Sequence, residues 1–127
     1  MSTLKVNTIQ TTAGGSSSTP AEIENGRAKA WIKFDGATTG AIIASYGISS
    51  ISNPDTGEYI ITFSTAFADT NYVATACVSG NASIHRGMGI EQGVTTTTTC
   101  RVNIFSTSAG GDKEDTAENG MAFFGAQ

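Results

Sequence analysis

The chain has 127 residues, room for one domain with one core, and carries seven basic against eleven acidic side chains for a net charge of −4. Only 14% of its residues are charged, well below the ~25% usual for soluble domains, and threonine, serine, glycine and asparagine fill the difference. Four of the seven basic residues fall within the first 33 positions, so no basic stripe marks a nucleic-acid partner. No run of 18 apolar residues marks a membrane span, and "MSTLKVNTIQTT" lacks the apolar core of a signal peptide, which argues against export by that route.

Residues 1–27 stand apart from the rest. Leu4, Val6 and Ile9 are a sparse apolar set in "STLKVNTIQ", and "TTAGGSSST" reads as a flexible linker. A helix signal follows, with Thr19 as N-cap, Pro20 at the first helical position, Glu22 closing a capping box and Gly26 as a stop. About one and a half turns fit between these signals, so the helix serves as a corner.

Residues 28–127 alternate strand and turn. In "AKAWIKF" Ala28, Ala30, Ile32 and Phe34 share one face, and Lys29, Trp31 and Lys33 share the other. "DGATTG" turns the chain into "AIIASYGISSIS". "NPDTG" predicts a turn with Pro54 in its second position and Gly57 at positive φ, joining a hairpin of residues 48–52 with 58–64. In "EYIITFS" Tyr59, Ile61 and Phe63 point inward. Further strands are expected at 71–79, 87–91, 94–106 and 120–126. No helical period of useful length appears beyond the corner. The fold class is all-β, an antiparallel β-sandwich or jelly-roll-like module behind an extended N-terminal arm.

Several strands are partly apolar on both faces. Ile43 faces opposite to Ile42, Ala44 and Tyr46, and Phe124 opposite to Phe123. A second sheet layer or another subunit must cover this surface. Trp31, between two lysines, has two readings. Its ring is buried at a subunit interface with the lysine stems beside it and their heads in water, or a local loop half-covers it. The interface set expected from these patterns is Trp31, Ile43 and Phe124.

Catalytic signatures are sparse. His85, in the Gly-bounded "NASIHRGMG", has no Gly-x-Ser-x-Gly or comparable partner and reads as a surface histidine. Asp112, Glu114, Asp115 and Glu118 form the one acidic cluster, which reads as a solvated loop without the ligand order of a calcium motif. Thr95–Thr99 reads as a β-branched strand. Cys77 and Cys100 read as free thiols, and their spacing to each other and to His85 fits no zinc pattern. No enzymatic activity, cofactor or metal is expected.

"LKVNTIQ", the small-residue linker, "STPAEIENGRAKAWIKFDG" and "ASYGISSISNPDTGEYIITFSTAFADTNYVATACVSG" resemble tail-fibre proteins of tailed bacteriophages, particularly those of cyanobacteria and marine bacteria. The resemblance runs in order over roughly residues 4–80, with a terminal strand at "GMAFFG"; residues 81–118 carry no phrase of the family. It implies a homotrimeric virion component of β structure, a short tail fibre or fibre tip, with other virion proteins as partners. The resemblance departs in one respect: such fibres usually carry a shaft or attachment domain before this module. Docking is therefore expected of residues 1–27, with Leu4, Val6 and Ile9 added as a strand to a partner's sheet edge. If the module touches a host-surface glycan, Asn81, His85 and Arg86 are the expected contacts, since loops on a rigid scaffold carry recognition. The alternative role is a capsid or tail decoration protein that binds no receptor.

Overall fold

The computed structural model describes residues 2–38, 40–80, 85–107 and 110–127. In the N-terminal segment β1 (Ile9–Gln10) and β2 (Ser17–Ser18) form a minimal antiparallel hairpin, with Ile9 opposite Ser18. The expected linker thus folds back on itself: the Thr11 amide donates to the Ser16 carbonyl at 3.0 Å, and the Gly14 amide to the Thr11 carbonyl at 2.8 Å. Helix α1 (Pro20–Gly26) follows with its capping box formed. The Glu22 amide donates to Thr19 Oγ1 at 3.2 Å, and the Thr19 amide donates to Glu22 Oε2 at 2.6 Å. None of its residues is buried.

Eight strands then build the module: β3 (Ala30–Asp35), β4 (Ala41–Tyr46), β5 (Ile48–Asp55), β6 (Glu58–Phe63), β7 (Val73–Val78), β8 (Arg86–Ile90), β9 (Thr99–Ser106) and β10 (Asn119–Phe124). They form two antiparallel sheets, β4-β3-β10-β7 and β5-β6-β9-β8, packed as a sandwich. The fold class is the one the alternation predicts. The chain passes from the first sheet to the second at Gly47, whose φ of +68° suits glycine. A Cβ there would meet the Lys29 carbonyl oxygen at 2.7 Å, so this corner also needs the missing side chain. Strands β7 and β8 adjoin across the opposite edge, and β10 returns beside β7 in Greek-key order.

The core follows from period-two alternation on both sheets. Ala30, Ile32, Phe34, Met121 and Phe123 point inward from the first sheet, and Tyr59, Ile61, Phe63, Cys100, Val102 and Ile104 from the second. Phe63 sits at the centre of an aromatic cluster, its ring centre 4.9 Å from those of Phe67 and Phe123 and 5.4 Å from that of Tyr72. Such edge-to-face contacts add to burial in holding the two layers together.

Three local expectations are corrected. Strand β9 begins at Thr99, because the Thr96 hydroxyl accepts the amides of Thr98 at 3.2 Å and Thr99 at 3.0 Å and so bends residues 95–98 out of the ladder. The Tyr72 hydroxyl fastens this loop by donating to the Thr96 and Thr99 carbonyls at 3.1 and 3.2 Å. Pro54 lies within β5 and the turn is Thr56-Gly57, with Asp55 opposite Glu58. Proline is tolerated there because β5 is an edge strand. Ile42 does not share a face with Ala44 and Tyr46. A bulge between Lys33 and Phe34 sets Ile42 opposite the inward Phe34, with Ala44 opposite Lys33 and Tyr46 opposite Trp31.

Candidate interaction surface

The outer face of the first sheet is built by the residues that alternate away from the core. Register places Tyr46, Trp31, Ala122 and Thr75 in one row across the four strands. The next row is Ala44, Lys33, Gly120 and Cys77, and Phe124 lies opposite Val73 on the same face. Trp31 is 41% exposed, Tyr46 55% and Val73 64%. Beside Trp31 across the pairing register lies the small side chain of Ala122.

Gly120 and Ala122 leave an open trough of about 600 Å³ along β10, walled by Lys33 on one side and Thr75 and Cys77 on the other. Gly120 keeps it open, since a Cβ there would lie 3.0 Å from Cys77 Sγ. The two charged side chains lining it, Lys33 and Glu118, approach to 3.9 Å and are both more than half exposed. Sequence reasoning passed over this trough. Its signal was the small outward set Gly120 and Ala122 in "NGMAFF", which acquires meaning only once β7 is paired beside it.

The expected interface residues are distributed as follows. Trp31 and Phe124 share this face, Trp31 exposed and Phe124 half-buried. Ile43 lies on the edge strand β4, 54% exposed, where the bulge leaves it without a partner on β3. Lys29, expected to keep its head in water, is instead buried, its ammonium paired with the Glu24 carboxylate of α1. A buried ammonium needs such a partner, and Glu24 brings the helix down to the start of β3 to supply it.

Of the candidate glycan contacts, Asn81 lies outside the described residues. His85 is exposed and its carbonyl accepts the amide and hydroxyl of Thr107, both at 2.9 Å. Arg86 opens β8 with its side chain largely buried, donating through Nε to Glu114 Oε2 at 2.5 Å and through Nη1 to the Ser79 carbonyl at 3.3 Å.

The acidic segment 110–118 is solvent-exposed at Asp112, Asp115 and Glu118, as expected, but it is also tied to the rest of the module. Asp115 Oδ1 accepts the Tyr59 hydroxyl at 2.6 Å, the Gly57 amide at 2.7 Å and Asn53 Nδ2 at 3.1 Å. Desolvation pushes the Asp115 carboxyl up, but the three donors together outweigh it and hold the carboxyl below its usual range. Glu114 holds Arg86, and Lys113 Nζ reaches Glu58 Oε2 at 2.9 Å. Glu58 also takes Arg101 at 3.0 Å, so the outer face of the second sheet is charged and already paired. Among the described residues no group of three or more His, Cys, Asp or Glu is placed to hold a metal ion.

Both cysteines are free thiols. Cys77 is exposed in the trough wall, whereas Cys100 is buried and its thiol is pushed up to about 11 by desolvation. In the N-terminal segment Leu4, Val6 and Ile9 line a shallow recess with Pro20 and Ile23, and Leu4 remains 85% exposed. No helix among the described residues is long and apolar enough to cross a membrane. No protein-family model, no curated protein and no solved structure matches this chain.

Proposed function

We propose that this chain is a structural protein of a tailed-phage virion, a short tail fibre or fibre-tip module. It works as a homotrimer, docks to other virion proteins through residues 1–27, and contacts a host-surface glycan. The resemblance of the N-terminal and strand phrases to tail-fibre proteins motivates the reading. The observation that carries it is the uncovered apolar outer face of the first sheet, where Trp31, Tyr46 and Val73 stand in water without a layer above them. Burial of such a face by further copies removes it from water, and closed symmetry limits the assembly to a defined number. The exposed Leu4 and the recess at Val6 and Ile9 offer the apolar contacts that docking would bury.

The test is labelling of particles together with competition. An antibody to the chain should mark tails at a few tens of copies or fewer per particle, and added pure protein should slow adsorption of the phage to its host. Decoration of the capsid at hundreds of copies, or no effect on adsorption, would overturn the fibre role. Removal of residues 2–18 should leave the folded oligomer intact and abolish its incorporation into particles, read by sedimentation and by immunoblotting of purified virions. Loss of folding on that deletion would instead make the segment part of the core.

A further inference from the structure

The outer face of the first sheet is divided into a raised half and a sunken half. The β4-β3 half carries the rings of Tyr46 and Trp31 side by side, and the β10-β7 half carries Gly120, Ala122, Thr75 and Cys77 around the trough. We propose that the trough receives the Trp31–Tyr46 ridge of a second copy of this chain. The inference rests on the self-association proposed above and specifies where that contact forms. In a closed trimer each copy gives its ridge to one neighbour and its trough to the other.

Three features of the face argue for a second copy as the occupant. The first is shape: ridge and trough occur side by side on one face, so each copy carries both halves of a complementary head-to-tail contact that can repeat around a ring. A copy cannot fill its own trough, because Trp31 is pinned by register beside Ala122 and remains 41% exposed there. The second is charge. The chain carries −4 overall, and like-charged molecules repel unless the touching surfaces are neutral. The trough lining holds one lysine and one glutamate, already near each other, so this surface adds no net charge to the encounter. The second sheet's outer face, with Glu58, Arg101 and Lys113, would have to break its own ion pairs to meet an apolar ridge.

The third feature is size. Four strands about 4.8 Å apart and six residues at about 3.3 Å per residue give a face of roughly 400 Å² in projection. A closed ring of copies assigns about half of that face to each neighbour, so the two contacts of each copy together use all of it. A small ligand would use a fraction of it.

The two thiols provide the test. Cys77 stands in the trough wall and Cys100 is sealed in the core, so Cys100 is an internal control for folding. The full chain is treated with iodoacetamide at concentrations spanning its sedimentation transition, and alkylation of each cysteine is followed by mass spectrometry. Cys77 should react at least ten-fold more slowly in the oligomer than in dilute protein, with Cys100 unreactive throughout. Thr75→Arg, an exposed wall substitution, and Trp31→Ala should each dissociate the oligomer and restore Cys77 reactivity, with the thermal melt of the monomer retained. An oligomer in which Cys77 stays as reactive as in dilute protein, or which survives Thr75→Arg, would overturn the trough contact while leaving self-association standing. A chain that sediments as a monomer at every concentration would overturn both.

Discussion

The two sheets present opposite kinds of outer surface, though they share one core and one alternation rule. On the second sheet Glu58 holds Arg101 and Lys113, and in the neighbouring loop Glu114 holds Arg86. Asp115 gathers three donors onto one oxygen. The charges of that side are paired within the chain, although Asn103 Oδ1 beside Glu58 has no hydrogen-bond partner among the described residues. On the first sheet the rings of Trp31 and Tyr46 and the side chains of Ala122 and Val73 expose apolar surface that nothing among the described residues buries, the indole N–H and phenol O–H being the only polar atoms on these four side chains. The difference teaches that burial on one side and internal pairing on the other are separate solutions, and the unfinished one is where we propose that interaction occurs.

The comparison breaks most visibly at Trp31. Trp31→Ala should weaken assembly by at least about 2 kcal/mol, some thirty-fold in affinity, since buried aromatic anchors dominate interfaces. The same change should move monomer stability far less. Analytical ultracentrifugation and a denaturant melt on the same variant separate the two effects. An equal loss in both would make Trp31 a local packing residue.

Next comes Asp115→Ala, which should destabilise the monomer by about 1–3 kcal/mol by orphaning the Gly57 amide and leaving the Tyr59 hydroxyl only the Gly36 carbonyl at 3.1 Å, and should leave assembly unchanged per folded chain. Its pH dependence has a definite sign. The folded carboxyl titrates below its usual range, so its stabilisation is present above the unfolded-state value of about 3.9 and is lost as the pH falls through the folded value. The gap in melting temperature between wild type and Asp115→Ala should therefore be constant from pH 7 to 5 and close below about pH 4. A gap that persists at pH 2 would show that the carboxylate charge plays no part. Lys113→Gln completes the series with the smallest expected shift in the thermal melt, because its ion pair with Glu58 is exposed on the lysine side.

Where side-chain period alone decides structure, the sequence was readable. Ile32 and Phe34, Tyr59, Ile61 and Phe63 all point inward as the alternation predicts, and Thr19 with Glu22 forms the capping box. Trp31 on the outer face was legible for the same reason. Features set by partners distant in sequence were not. Lys29 reads as a surface lysine until Glu24 closes on it. Asp115 reads as one acid among four until the hairpin turn at Gly57 is laid against it. Thr96 competes with its own strand through a hydroxyl, a choice between two local hydrogen-bonding schemes that composition leaves open. The trough is the extreme case: glycine and alanine on one strand and cysteine and threonine on another make a recess only in register.

The salt link between Glu24 and Lys29 gives the N-terminal segment a mechanical address. Tension on residues 2–26 enters the module at the head of β3, a strand hydrogen-bonded on both sides, to β4 and to β10. Such a load is shared by two ladders pulled along their length, whereas an edge strand would unzip one bond at a time. A tether anchored in this way delivers its tug to the strand that bears the indole.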